Sequence, residues 1–160
     1  MKMLTPILAT ILAAATPAWC GEAQKKAGAT EECCGGAAAC SVLISAYEKV
    51  STALAADDLK AAQTAAVDLG CWAKCQGHAD LEAKIGGLAK AASLAEARKL
   101  FKEISTATIP LAEKAGAHFV MTCPMAGADW MQTSATVTNP YYGSQMLRCG
   151  TIKKTIKSDP

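Results

Sequence analysis

The stretch Ser93-Leu94-Ala95-Glu96-Ala97-Arg98-Lys99-Leu100-Phe101-Lys102-Glu103-Ile104 decides how the fold is read. Ser93 and Glu96 have the Ser-x-x-Glu spacing of a capping box, in which both side chains satisfy backbone N–H groups at a helix start. Leu94, Ala97, Leu100, Phe101 and Ile104 recur three or four positions apart, which puts them on one helix face. The helix is expected to run to about Ala117. Pro110 should kink or interrupt it, because proline lacks the N–H that a helix interior uses. Earlier in the chain, Ala62, Ala66, Leu69 and Ala73 form one stripe of a helix from Leu59 to about Gln76. Asp57 and Asp58 supply its break and N-cap, with negative charge at the helix N-terminus. Val42, Ile44, Tyr47 and Val50 suit a helix from Ala37 to about Val50. A turn at Gly77-His78-Ala79-Asp80 precedes a shorter helix from Leu81 to Ala92, weakened by Gly86-Gly87. None of these stretches alternates as a strand would. The expected fold is mainly α: an antiparallel helical bundle with an irregular Cys/Met-rich C-terminal segment.

A length of 160 residues fits one domain. The formal net charge is +2, from 16 Lys+Arg against 14 Asp+Glu, so there is no basic footprint for nucleic acid. Hydrophobic residues are 51% and charged residues 19%, which argues against a mainly disordered chain. Alanine carries much of the apolar count, and such small side chains call for close helix packing. The outlier is sulfur: 8 Cys and 6 Met.

Residues 1–20 have the layout of a secretory signal peptide: Lys2, an apolar run from Leu4 to Ala15, then Thr16-Pro17-Ala18-Trp19-Cys20. The run is shorter than the roughly 20 residues of a membrane span, so no span is expected after cleavage. Cleavage fits after Ala18 or after Cys20; Trp19 is too large for the usual lipoprotein motif at Cys20. Residues 21–36 read as a flexible leader containing Cys33-Cys34, residues 37–152 as the domain, and 153–160 as a solvated basic tail. The expected location is periplasmic or otherwise exported, where exposed thiols tend to form disulfides.

After His118 the composition changes. Four of the six Met fall between Met121 and Met146, and Trp130, Tyr141 and Tyr142 lie close together. Cys123-Pro124-Met125 opens this segment and Met146-Leu147-Arg148-Cys149-Gly150 closes it, a mirrored Cys-x-Met and Met-x-x-Cys. If the chain between them folds back, thiols and thioethers converge. Such soft donors select copper(I), and silver(I) fits equally, whereas zinc favours more Cys and His. The candidate ligands are Cys123, Met125, Met146 and Cys149, with Met131 and His118 as extras. The other reading is a Cys123–Cys149 disulfide, which stabilises by about 2–4 kcal/mol, with the Met residues as core filler. Cys71, Cys75 and His78 form a second constellation. Four-residue spacing puts the two thiols on one helix face, with His78 a further turn along. The alternatives are a buried thiol at Cys71 or pairing with Cys33, Cys34 or Cys40.

Cys123-Pro124-Met125, Ala128-Asp129-Trp130-Met131-Gln132 and the run from Asn139-Pro140-Tyr141-Tyr142-Gly143 through Met146-Leu147-Arg148-Cys149-Gly150 together resemble an uncharacterised exported bacterial domain family. That domain occurs alone and fused to CusB-type adaptor subunits of heavy-metal efflux pumps. The resemblance spans roughly Ser41 to Ile152. It implies periplasmic handling of copper or silver and points to a periplasmic efflux adaptor as partner; it does not imply a catalytic activity. The leading expectation is therefore a non-enzymatic copper(I) or silver(I) binder that sequesters the ion or hands it over. A disulfide-stapled adaptor and a thiol–disulfide redox protein are the alternatives. The chain lacks a Cys-x-x-Cys motif and a βαβ pattern, which weighs against the redox reading. No Ser-His-Asp set or phosphate loop points to a hydrolase or kinase.

Overall fold

The computed structural model describes residues 36–113 and 115–157. The expected signal peptide and the leader cysteines Cys33 and Cys34 lie outside the described residues. Helix α1 spans Gly36–Ala55, α2 Leu59–Cys75, α3 Ala79–Leu88 and α4 Leu94–Ala112. Their starts follow local chemistry. Asp58 caps α2 by accepting the Ala61 N–H at 2.8 Å. Ser93 caps α4 by accepting the Glu96 N–H at 3.2 Å, while the Glu96 carboxylate reaches back to Ala92 N–H at 2.8 Å. The glutamate thus bonds the residue before the cap, one place earlier than in the usual box.

The expectation of a helical bundle is overturned after Ala112. The chain is mixed α/β: strands β1 (His118–Cys123), β2 (Ala128–Gln132) and β3 (Thr151–Ile156) form an antiparallel sheet in the order β2-β1-β3. Helix α4 ends five residues short of Ala117, just past Pro110. The strands left no period-two trace because of how they are buried. Val120 and Met121 are both buried, as are Trp130, Met131 and Gln132, so neighbouring side chains on opposite faces of the sheet are covered alike. In β3 nearly every residue is exposed, which erases alternation from the other side. Four residues read as basic tail, Lys153 to Ile156, belong to this strand. Lys153 is its bulge, lying between the pairs Met121–Ile152 and Val120–Lys154.

A chain of aromatic rings joins helices to sheet. Tyr47 on α1 lies 5.0 Å from Phe101 on α4, Phe101 lies 6.0 Å from Tyr141, and Tyr141 meets Trp130 edge-on at 6.0 Å. Their hydroxyls are used as well. Tyr47 shares a 2.6 Å hydrogen bond with Ser105 and accepts the Met131 N–H, while Tyr141 donates to the Asp129 carbonyl. Glu48 accepts the Thr133 N–H at 2.9 Å. Side chains thereby satisfy outward backbone groups along and just beyond β2.

A second tie fixes the loop after β2. Asp57 follows α1 with φ 61°, where glycine is the ordinary choice, and the helix end closes through Asp58 N–H to Ala53 O at 2.9 Å. Its carboxylate accepts the Ser144 hydroxyl, the Ser144 N–H at 2.9 Å, and the Arg98 guanidinium. Arg98 also donates to Leu54 O at 2.8 Å and Pro140 O at 3.0 Å. Gly143, with φ 56°, sits against this cluster; a Cβ there would overlap both Asp57 and Arg98.

The Asp57 carboxyl is held at about 2, below its ordinary 3.8, first by the Ser144 hydroxyl, then the Ser144 N–H, then Arg98. A folded value below the unfolded one means that this stabilisation is complete above about pH 4 and is lost as pH falls toward 2. Urea unfolding across that window is expected to show a pH-dependent loss that Asp57→Asn makes shallower. An unchanged slope in the variant would contradict the assignment.

Candidate functional site

Cys123 ends β1, and a turn closed by Gly127 N–H to Pro124 O at 3.2 Å follows it. Cys149 stands two residues before β3. Because both strands flanking these cysteines pair in one sheet, the two thiols meet at one end of it, with Sγ atoms 3.5 Å apart. Cys123 is fully buried and Cys149 half-buried. The loop carrying Cys149 is positioned by Asn139, itself fully buried. Its amide donates to the Cys149 carbonyl at 2.7 Å, its carbonyl oxygen accepts the Tyr141 N–H at 2.8 Å, and its backbone N–H reaches Leu147 O at 2.8 Å. Gly150 then lets the chain pass the indole of Trp130, where a Cβ would come within 2.6 Å of the ring.

The electrostatics of the pair are unequal. Burial pushes the Cys123 thiol up, but the Ala126 N–H, the Cys149 thiol, the Asn139 amide and the Met125 N–H outweigh it, so its acidity rises. The Ala126 N–H lies 3.4 Å from its sulfur. Cys149 moves the other way, through its hydrogen bond to Cys123, then burial, then the neighbouring negative charge. Cys123 is therefore the more acidic thiol of the two, with Cys149 placed to donate its S–H to it.

The separation bears on what the pair can hold. A disulfide needs about 2.05 Å. The observed 3.5 Å is the contact of two free thiols that share a hydrogen bond.

Met146 is half-buried, and its carbonyl accepts the Cys149 N–H at 2.9 Å, which keeps it in the same turn. Met125 is in the turn after Cys123 with its side chain 65% exposed. Two expected extras are not brought to the pair. Met131 faces Val120 across β1 and β2, so the pleat puts its side chain on the sheet face opposite that of Cys123. His118 begins the strand that Cys123 ends, about 17 Å away for extended backbone. Its ring is buried, with Nδ1 2.8 Å from Gly116 O. Its Nε2 has no hydrogen-bond partner among the described residues.

The second constellation does not assemble. Cys71 is half-buried and Cys75 exposed on α2, while His78 stacks on Trp72 with ring centroids 5.7 Å apart. Among the described residues no three His, Cys, Asp or Glu side chains stand together to hold a metal ion. A third side-chain donor to the Cys123–Cys149 pair drawn from those residues would therefore not be a His, Cys, Asp or Glu.

Sequence reasoning missed the residues that build this site. Asn139 and Gly143 stood out only as members of the family-like motif, with no role in the site assigned, and Asp57 only as a helix break. Their signal was polarity or small size amid aromatics, which does not distinguish a buried amide from an exposed one. Asn139→Ala leaves the part-buried Cys149 carbonyl without its donor and is expected to cost about 1–3 kcal/mol in urea unfolding. A loss under about 0.5 kcal/mol would place the amide outside the framework.

No helix among the described residues is long and apolar enough to cross a membrane. No protein-family model matches the chain, and neither a curated protein nor a solved structure matches it.

Proposed function

We propose that this protein is an exported, non-enzymatic binder of copper(I) or silver(I), held by Cys123 and Cys149 with Met146 as the third donor. The observation that carries this reading is the sulfur pair at 3.5 Å, held by a buried amide, with Cys123 the more acidic thiol. Thiolate and thioether are soft, and a soft monovalent ion is their best match. The thioether also needs no deprotonation. Export rests on the signal-like pattern of residues 1–20. Hand-over to a periplasmic efflux adaptor rests on the family resemblance, with sequestration as the simpler use of the same site.

The 3.5 Å gap also favours one other reading. Closing it by about 1.5 Å gives a disulfide, so a thiol–disulfide protein uses the same two residues.

A spectroscopic competition titration of the reduced protein with copper(I) separates them. The expected result is one ion per chain, with affinity lowered about tenfold or more in Cys123→Ser and in Cys149→Ser. Absence of stoichiometric binding would overturn the metal reading. Thiol-dependent reduction of insulin by the same preparation would then support the redox one.

A further inference from the structure

We infer that the ion is exchanged on the Cys149 side of the pair through Met125, with Cys123 as the fixed ligand, so that the acceptor is a molecule presenting its own thiolate or thioether. This rests on the metal-binding reading above and adds a direction to it. Three observations support the asymmetry.

The first is burial. Cys123 has no exposed surface, whereas Cys149 is half-buried. A cleft of about 410 Å³ also borders Cys123; Asp129 on its walls pairs with Lys153 at 2.6 Å, which leaves Lys102, among the described residues, as the one positive charge there without a carboxylate partner to disfavour a cation. The second is how each sulfur is held. Cys123 belongs to the central strand, and its sulfur accepts the Ala126 N–H. Cys149 belongs to the connecting loop.

The third is Met125. The turn that aims an N–H at the Cys123 sulfur exposes 65% of this side chain. Its backbone is not loose: Tyr142 donates to Met125 O at 3.1 Å, and Lys102 donates to Ala126 O at 2.9 Å. The Tyr142 bond ties this turn to the loop that carries Cys149. A fixed backbone therefore holds a solvent-exposed methionine two residues after Cys123, where a purely structural side chain is not required.

The exchange balances without redox change. Copper stays at +1. An incoming thiolate or thioether bonds to the ion, Met125 bridges during the substitution, the Cys149–copper bond breaks, and Cys149 takes a proton from solvent. Cys123 then releases the ion in the same way. A ligand used only in passing changes the rate and leaves the equilibrium alone.

The test loads the reduced full chain with copper(I) and follows its release by stopped flow. Glutathione is the incoming thiol, and bathocuproine disulfonate is the coloured sink. Met125→Leu keeps size and apolarity at an exposed position. It is expected to slow release about fivefold or more while equilibrium affinity stays within about twofold. Equal release rates in the variant and the wild type would overturn the inference while leaving the binding reading intact. An affinity loss as large as that of Cys149→Ser would also overturn it, by making Met125 a resident ligand. A wild-type protein that retains no copper would sink the binding reading and this inference with it.

Discussion

The buried amide of Asn139 bridges the start of the loop after β2 to its last turn, and the positions of both thiols relative to one another depend on it. It bonds Cys149 O, Leu147 O and the Tyr141 N–H within the loop, and its side chain also meets the Cys123 thiol on β1. A buried amide satisfied in this way specifies one conformation, because every alternative strands a polar group away from water. The Asp57–Arg98–Ser144 cluster pins the middle of the same loop to the ends of α1 and α4. Tyr141, between those two ties, carries the aromatic chain back through Phe101 to Tyr47. The helices thus act as a platform, and the sheet end with its two sulfurs is fixed to it at several points.

The helical half was legible because its signals are local. Capping residues Asp58 and Ser93 are identifiable from neighbours three positions away, and the stripe Ala62, Ala66, Leu69 and Ala73 is buried as its spacing indicates. The sheet was not legible, for a physical reason. Met121 and Val120 point to opposite faces of β1 and both are covered, so binary patterning carries no period there. In β3, Ile152 and both neighbouring lysines are exposed, so the strand reads as a solvated tail.

The site was legible in part. The mirrored Cys-x-Met and Met-x-x-Cys ends identified the two thiols that the fold brings together. His118 and Met131 looked near only because sequence spacing was read without a strand between them. Extended backbone separates residues by more than twice the helical rise per position, and its pleat sends neighbours to opposite faces. The polar framework of Asn139, Asp57 and Arg98 was invisible for another reason. Whether an amide or carboxylate is buried and paired is a property of packing, which short spacings do not encode.

The central claim is that Cys123 and Cys149 jointly ligate a soft ion. Copper K-edge X-ray absorption on the copper(I)-loaded, reduced protein tests it most directly. The expected result is a first shell of two or three sulfurs at about 2.3 Å, the length of a metal–thiolate bond, which loses one sulfur in Cys149→Ser. A shell of nitrogen and oxygen only, or a sulfur count unchanged in both cysteine variants, would contradict it.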